Sequence, residues 1–213
     1  MKTLHSTLLV SVLSVFAALV TLTAKADETL KNVQGAWAKC QYDTFNKDNK
    51  ISCLNSLIAE TQQAIANDPS RNDLKVWLAI NKSSLAGLEG GLGALSMVEE
   101  ARDLLVDVIK VQPQVLEGSA FTSLGTLYYR VPGWPIGFGD DDEAEAMLQK
   151  ALALNPDGID PNFFYGDFLA SQGKKTEAIA YLKRAQQASP REGRELADKG
   201  RQTEIMRKLE ELQ

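Results

Sequence analysis

Carboxylates are the side chains in this sequence that are best placed to do chemistry, because four of them stand in a row from Asp140 to Glu143. Neighbouring carboxylates can serve as general acid and base or can bind a divalent cation. Their spacing does not match a calcium loop, however, and acidic residues at the start of a helix commonly cap it and face its dipole. We therefore interpret Asp140 as a helix cap and predict no metal, no cofactor and no catalytic residue.

A hydrolase that uses carboxylates alone, through residues 140–143 or through Asp157 and Asp160, is a third and less favoured hypothesis. The histidine content argues against it, since His5 is the only histidine of the chain and lies in a segment that we expect to be removed. Without histidine the mature chain cannot form a Ser-His or Cys-His nucleophile pair. We therefore predict that the protein is not an enzyme.

The N-terminal residues 1–26 have the pattern of a secretory signal peptide. Lys2 precedes an apolar run over residues 8–22, and Ala24-Lys25-Ala26 places small residues where a signal peptidase reads. The run is short for a transmembrane helix, which needs about 20 residues, and an uncleaved anchor is the alternative. We predict cleavage after Ala26, a periplasmic or secreted protein and no stable membrane insertion afterwards.

Cleavage would leave 187 of the 213 residues, enough for the single domain that we predict over residues 27–213. Loss of Lys2 and Lys25 reduces the 23 basic residues to 21 against 28 acidic ones, which changes the net charge from −5 to −7. An acidic protein repels phosphate backbones and anionic lipids. Neither nucleic acid nor a membrane surface is therefore the expected partner.

The two cysteines, Cys40 and Cys53, flank a polar stretch at residues 46–50 that we interpret as a turn between two helices. In an oxidising compartment an even pair at this separation predicts a disulfide. A redox-active pair is the alternative, but the Cys-x-x-Cys spacing is missing.

An internal repeat occupies the C-terminal part of the sequence, where residues 142–156 align with residues 176–190 at an offset of 34. The aligned pairs are Ala144 with Ala178, Ala151 with Ala185, and Pro156 with Pro190. Small alanines let two helices approach closely, and proline ends a helix because it cannot donate the next backbone hydrogen bond. The pattern predicts an all-α array of antiparallel helix pairs.

The same spacing extends the array towards the N-terminus. Second helices are predicted to end near Pro69, Pro113, Pro156 and Pro190, which gives about four helix pairs. Residues 191–213 then form a charged helix that we expect to cap the last pair, since terminal repeats need polar outer surfaces.

The intervals between these prolines are 44, 43 and 34 residues, so the first two exceed the repeat period. From Ala79 to Ala101 the chain advances 22 residues where the regular repeat advances 12, and the equivalent interval after Gly125 is 19. Ten and seven residues are therefore inserted, and both insertions fall at the turn inside a repeat. Insertions at one repeated position lie along one edge of such an array, and that edge is often used for binding.

The segment Leu124-Gly125-x-x-Tyr128 and the 34-residue period resemble the tetratricopeptide (TPR) repeat superfamily over residues 51–190. More narrowly, residues 129–140, 155–162 and 165–168 look like the periplasmic helical component associated with TRAP transporters, and like exported TPR proteins that are not tied to a transporter. Many members of that component family are lipoproteins, whereas no lipid-accepting cysteine follows the apolar run of this chain. The resemblance implies a groove lined by the first helix of each pair.

By analogy with that family, the groove is lined by residues three before, and one and four after, the small residue of each first helix. These are Val76, Ile80, Ser83, Thr122, Thr126, Tyr129, Phe163, Asp167 and Ala170. The set lacks the lysine and asparagine pattern that clamps a peptide carboxylate. It favours an apolar ligand or an extended peptide.

Two aromatic residues, Trp134 and Phe138, lie in the proline- and glycine-rich segment 131–140, where no helix buries them. In the functional interpretation they form the lip of the groove; in the alternative, the segment folds back and buries Trp134 in the core. We predict a periplasmic binding or scaffold protein for another protein, a peptide or a small apolar ligand. An accessory component of a TRAP-type transporter is the alternative function.

Overall fold

The computed structural model describes residues 27–213, so the predicted signal peptide and its cleavage site lie outside the described residues. Within this range the chain folds into nine α-helices and one short 3-10 turn, and contains no β-strand. The helices are α1 over residues 27–42, α2 Lys47–Asn67, α3 Asn72–Glu89, α4 Gly91–Val111, α5 Ser119–Arg130, α6 Asp141–Leu154, α7 Ile159–Ser171, α8 Lys175–Gln186 and α9 Glu195–Glu211. None of these helices is both long and apolar enough to span a bilayer.

Consecutive helices pack as antiparallel pairs, α1 with α2, α3 with α4, α5 with α6 and α7 with α8, and α9 follows them. The helices α2, α4 and α6 each end two residues before a predicted boundary, namely Pro69, Pro113 and Pro156. Proline cannot donate to the preceding helical turn and disfavours the helical conformation of the residue before it. The predicted fold class, an all-α array of about four helix pairs with a further C-terminal helix, is confirmed.

Glycine lets the two helices of a pair approach closely. A Cβ added to Gly166 of α7 would lie 3.0 Å from Leu182 Cγ and 3.2 Å from the Ala178 carbonyl oxygen of α8. Gly125 of α5 has the same relation to α6, where the nearest atom is Leu148 Cγ at 2.7 Å. The third and fourth pairs are therefore built alike, as their aligned sequences predict.

The ten-residue insertion of the second pair does not form the turn that the sequence predicts. It lengthens both helices, since α3 and α4 have 18 and 21 residues against 13 and 12 in α7 and α8. Only Gly90, at φ +71°, separates α3 from α4. The added turns are helical because Leu88 and Met97 gain apolar contacts with the core of the first pair. The seven-residue insertion of the third pair, in contrast, forms a loop at residues 131–140.

The first pair is joined by a disulfide between Cys40 of α1 and Cys53 of α2, whose Cα atoms are 5.6 Å apart. The turn between the two helices is shorter than predicted, because α2 already begins at Lys47. The Asn46 side chain accepts hydrogen bonds from two backbone N–H groups of the first helical turn and so caps α2.

The C-terminal helix α9 reaches both ends of the array. Ile205 packs with Phe163 of α7, whereas Ala197 joins the apolar cluster formed by α1, α2 and α3. Gly200 lies so close to the ring of Tyr42 in α1 that the position has no room for a side chain. The sequence predicts a cap on the last pair, and α9 does pack against α7 and α8, but it also lies against α1.

Candidate partner-binding edge

The groove that the sequence predicts is not an open surface. Val76 and Thr122 are buried, and Val76 lies in the apolar cluster shared by α3, α4 and α5. Phe163 and Asp167 are buried as well, and α9 lies over them. Arg201 of α9 holds its guanidinium 4.4 Å from the centre of the Phe163 ring. Val76, Thr122 and Phe163 therefore cannot line an accessible groove, whereas Asp167 lines an open cleft together with Tyr129 and Ala170.

The other predicted groove residues of the helices are half-buried and already engaged. Ile80 packs between the first two apolar clusters of the core, and the Thr126 hydroxyl donates to the Thr122 carbonyl within α5. The Tyr129 hydroxyl donates to Asp167 Oδ2 at 2.7 Å. The structure thus brings Tyr129 and Asp167 together, and it places Ile80 in another part of the core.

Asp167 is the centre of an ion cluster in the C-terminal half of α7. Arg130 Nη2 and Lys208 Nζ lie 2.6 Å and 2.9 Å from its two carboxylate oxygens. Burial alone would raise the pKa of the Asp167 carboxyl, but these cations and the Tyr129 hydrogen bond outweigh burial and lower it. An open cleft of about 770 Å³ lies beside the cluster. Arg130 and Lys208, which line this cleft, already pair with Asp167. The cluster therefore serves to join α5, α7 and α9.

Asp160, one of the carboxylates of the hydrolase hypothesis, lies in a second ion cluster. It accepts hydrogen bonds from Arg191 Nη1 at 2.7 Å and from Arg201 Nε at 2.9 Å. Burial alone would raise the pKa of the Asp160 carboxyl, but the two guanidinium groups hold it at about 2. A carboxyl with so low a pKa is a poor general acid and a poor general base near neutral pH. Asp160 therefore links α7 to α9 through its hydrogen bond with Arg201.

The acidic run at residues 140–143 is explained by helix capping. The Asp140 carboxylate accepts hydrogen bonds from the backbone N–H groups of Asp142 and Glu143, both at 3.0 Å, so its predicted capping role is confirmed. Acidic side chains in the first turn also face the positive end of the α6 dipole. Across residues 27–213, no group of acidic, cysteine or histidine side chains has an arrangement that could hold a metal ion.

The loop at residues 131–140 is held in one shape by its own backbone. The Gly139 N–H donates to the Pro132 carbonyl at 3.0 Å, and the Asp140 N–H donates to the Tyr128 carbonyl at 2.9 Å. The Trp134–Pro135 peptide bond is cis. At Gly139 the neighbouring backbone leaves no room for a side chain. These contacts define the backbone conformation from which the side chains of the loop project.

The two aromatic residues of the loop have different environments. Phe138 is half-buried, with the Arg102 guanidinium 4.6 Å above its ring and the Tyr128 ring edge-on at 5.9 Å. Trp134, in contrast, is 90% exposed, and Ile136 is 67% exposed. The alternative interpretation, in which Trp134 is buried in the core, is therefore wrong. Phe138 anchors the loop, and Trp134 and Ile136 project from it.

The two insertions meet in space. A Cβ added to Gly137 of the loop would lie 3.3 Å from Leu95 Cδ1 of α4. Leu92, one turn earlier in α4, is 87% exposed. We call the surface formed by Leu92, Trp134 and Ile136 the insertion edge.

Sequence reasoning missed two members of the insertion edge. Leu92 stands between Gly91 and Gly93, and Ile136 between Pro135 and Gly137. Each is a large apolar residue beside glycine, so it has at least one neighbour without a side chain to pack against. That local pattern is the signal that could have identified them.

Stacked antiparallel helix pairs, with a glycine at the close approach of the third and fourth pairs, define a tetratricopeptide-like helical repeat fold. Residues 136–198, which contain α6, α7 and α8, match the tetratricopeptide repeat family. A search of curated proteins found no significant match. Among solved structures, the chain is similar to a thermophilic TPR protein of Thermus thermophilus, with a TM-score of 0.56 and 19% identity over 90% of this chain and 95% of that one.

At this level of identity, the likeness to the Thermus protein shows the fold alone. Stacked helical repeats of this kind form extended surfaces that bind other molecules. The narrower resemblance to a TRAP-associated component rests on the sequence segments alone. The fold therefore suggests a protein-binding scaffold.

Proposed function

We propose that this chain is an exported binding protein that docks a partner protein through the insertion edge. The observation that carries the proposal is Trp134, a large aromatic side chain that is 90% exposed on a loop of fixed shape. Exposed apolar side chains are unfavourable in water, and rigid aromatic residues often contribute most of the binding free energy at protein interfaces. The loop exists because of an insertion, so the edge is specific to this array.

The position of α9 favours the edge over the predicted groove. Arg201 and Ile205 of α9 cover Phe163, which the sequence assigns to the groove. A small apolar ligand would need an enclosed apolar cavity, whereas the cleft beside Asp167 is open and lined largely by charged side chains. A protein or peptide that binds at the surface therefore fits better than a small ligand inside the array.

Export is supported by two independent features. Residues 1–26 carry the basic residue, apolar run and Ala24-Lys25-Ala26 of a cleavable signal. The Cys40–Cys53 disulfide is the form in which a cysteine pair persists in an oxidising compartment such as the periplasm. We therefore propose a periplasmic or secreted location for the mature chain.

A role as an accessory component of a TRAP-type transporter is the narrower alternative. It is favoured by the resemblance of residues 129–140, because this same segment presents Trp134 and Ile136. In that case the partner at the insertion edge is a protein of the transporter. Identification of the partner distinguishes this role from that of a general scaffold.

Site-specific photocrosslinking in the exporting host tests the proposal. A photoreactive phenylalanine analogue at position 134 is expected to form an adduct with one defined protein, which mass spectrometry identifies in the periplasmic fraction. The matched control places the analogue at Phe45, which is equally exposed, at 90%, in the turn between α1 and α2. The adduct at position 134 should disappear when Leu92 and Ile136 are replaced by serine. Identical adducts at positions 134 and 45, or no adduct at 134, would contradict the proposal.

A further inference from the structure

We infer that the partner presents a basic amphipathic segment to the insertion edge, with lysine or arginine side chains beside apolar ones. The inference rests on the proposed function of this edge and adds the chemical class of its partner. It follows from the size of the apolar surface and from the sign of the charges around it.

The apolar surface is small and is formed where the loop meets α4. Trp134 and Ile136 project from one loop, and the contact of Gly137 with Leu95 brings that loop to the helix that carries Leu92. An aromatic side chain contributes about 150–250 Å² of contact area, whereas a stable interface between two folded domains buries about 800 Å² on each side. Three side chains therefore suit a short segment of a partner, such as one helical turn or a tail, better than a flat domain face.

Unpaired carboxylates adjoin this surface. Asp141, Asp142 and Glu143 follow the loop directly and are exposed in the first turn of α6. A segment that lies over Trp134 therefore meets an excess of negative charge.

The two arginines that adjoin the loop are already paired, Arg130 with Asp167 and Arg102 with Asp103. Arg102 stacks on Phe138 at 4.6 Å and pairs with Asp103 at 2.8 Å, so its charge is satisfied within the protein. The acidic groups also act electrostatically on Tyr128, at the base of the loop. Tyr128, whose ring contacts Phe138, has its pKa raised mainly by burial and further by Glu143 and Asp140, which exceed the opposing effect of Arg102.

Other occupants of the edge are disfavoured by the same charges. A second copy of the chain would bring its own carboxylates against Asp141 and Asp142, and like charges across an interface are unfavourable. An anionic lipid surface would be repelled by the acidic run and by the net charge of −5. A segment with basic residues gains attraction instead, both in association rate and in specificity.

Fluorescence anisotropy with two labelled peptides tests the inference. The first is a leucine–lysine amphipathic helix of about four turns, and the second has every lysine replaced by glutamate. The purified mature protein is expected to bind the lysine peptide and not the glutamate peptide. Binding of the lysine peptide should weaken as salt is added, because salt screens exposed charges.

Two triple variants with the same net charge locate the interaction. Asp141→Asn, Asp142→Asn and Glu143→Gln together should weaken lysine-peptide binding at least about tenfold. The matched control replaces Glu177, Glu192 and Glu210 by glutamine, three carboxylates that are exposed elsewhere, and should change binding less than about twofold. Equal effects of the two triple variants, equal binding of both peptides, or no binding of the lysine peptide would overturn the inference.

Failure of this inference can be told apart from failure of the proposed function. If both peptides bind equally and Trp134→Ser abolishes both while Phe45→Ser abolishes neither, the edge is a docking surface and only its basic specificity is wrong. If Trp134→Ser leaves lysine-peptide binding unchanged, the edge itself is not the docking surface and both proposals fail.

Discussion

Asp160 of α7 joins the C-terminal helix to the array through Arg201, whose Nε donates to Asp160 Oδ1 at 2.9 Å. The same guanidinium lies 4.4 Å from the Phe163 ring centre and 4.6 Å from that of Phe164, and the Arg201 side chain is only 9% exposed. A buried charge without a partner is unfavourable by several kcal/mol. This ion pair therefore helps to hold α9 against α7, together with the pair between Lys208 and Asp167.

Replacement of Asp160 by asparagine is expected to lower the free energy of unfolding by about 1–3 kcal/mol, because Arg191 loses a carboxylate partner and the buried Arg201 keeps Glu204 alone of its two. Urea denaturation at pH 7, followed by far-UV circular dichroism, measures the change. The control is Asp141→Asn, which removes an exposed carboxylate and should change the free energy of unfolding by about 0.5 kcal/mol or less. Equal losses in the two variants would show that the Asp160–Arg201 pair does not hold α9.

The contribution of Asp160 should also depend on pH. Its pKa is about 2 in the folded protein and about 3.9 in an unfolded chain, so its stabilisation is present above pH 4 and is lost as pH falls through 2. The shift corresponds to roughly 2 kcal/mol. The difference in unfolding free energy between wild type and Asp160→Asn should therefore be constant from pH 5 to 7 and should shrink between pH 4 and 2. A difference that stays the same at pH 2 would contradict the low pKa.

The helix pairs could be predicted from the sequence because their determinants are local and periodic. Ala144 and Ala178, for example, stand at equivalent positions of two aligned segments, and the close approaches at Gly125 and Gly166 follow from residue size. The prolines mark the helix ends for a reason that needs no tertiary contact. These features fix the fold class without knowledge of the partner helix.

The candidate site was predicted less well, because its environment depends on contacts that are distant in sequence. The sequence predicts Phe163 as a groove residue, but Arg201 of α9, some 40 residues later, lies against its ring. Sequence spacing likewise cannot distinguish Trp134 from Phe138, and the difference arises because Arg102 and Tyr128 stack on only one of them. The insertion after Ala79 was located correctly, but apolar contacts made it helical.

The surroundings of Gly166 and Gly87 predict opposite effects of a glycine-to-alanine substitution on the free energy of unfolding. Gly166→Ala should lower the free energy of unfolding by about 1–3 kcal/mol, because its Cβ would press on Leu182 and on a backbone carbonyl of α8. In α3, a Cβ added to Gly87 meets no atom within 4 Å. Gly87→Ala should therefore raise the free energy of unfolding by about 0.5–1 kcal/mol, since alanine favours the helix. Thermal or urea denaturation of the two variants measures both signs. A stabilising effect at Gly166 would mean that α7 and α8 are not held at this distance.

The disulfide should stabilise the first helix pair. Cys40 and Cys53 are 13 residues apart, and a loop of that size corresponds to roughly 3 kcal/mol of stability. The double variant Cys40→Ala and Cys53→Ala is expected to lose about that amount in urea denaturation. Dithiothreitol should destabilise the wild type and leave the double variant unchanged. Maleimide labelling of the exported protein should find no free thiol, and two reactive thiols would contradict the bond.

Substitutions at Trp134 and Phe138 should affect partner binding and the free energy of unfolding to different extents. Trp134→Ala is expected to change the free energy of unfolding by about 0.5 kcal/mol or less, because the side chain is exposed, and yet to abolish the photocrosslinked partner's binding. Phe138→Ala should lower the free energy of unfolding by about 1–3 kcal/mol, since Arg102 and Tyr128 lose the ring against which they pack. It should also weaken binding, because the loop then no longer holds Trp134 in place. If Trp134→Ala destabilises the fold as much as Phe138→Ala does, Trp134 is a packing residue and the insertion edge has no exposed anchor.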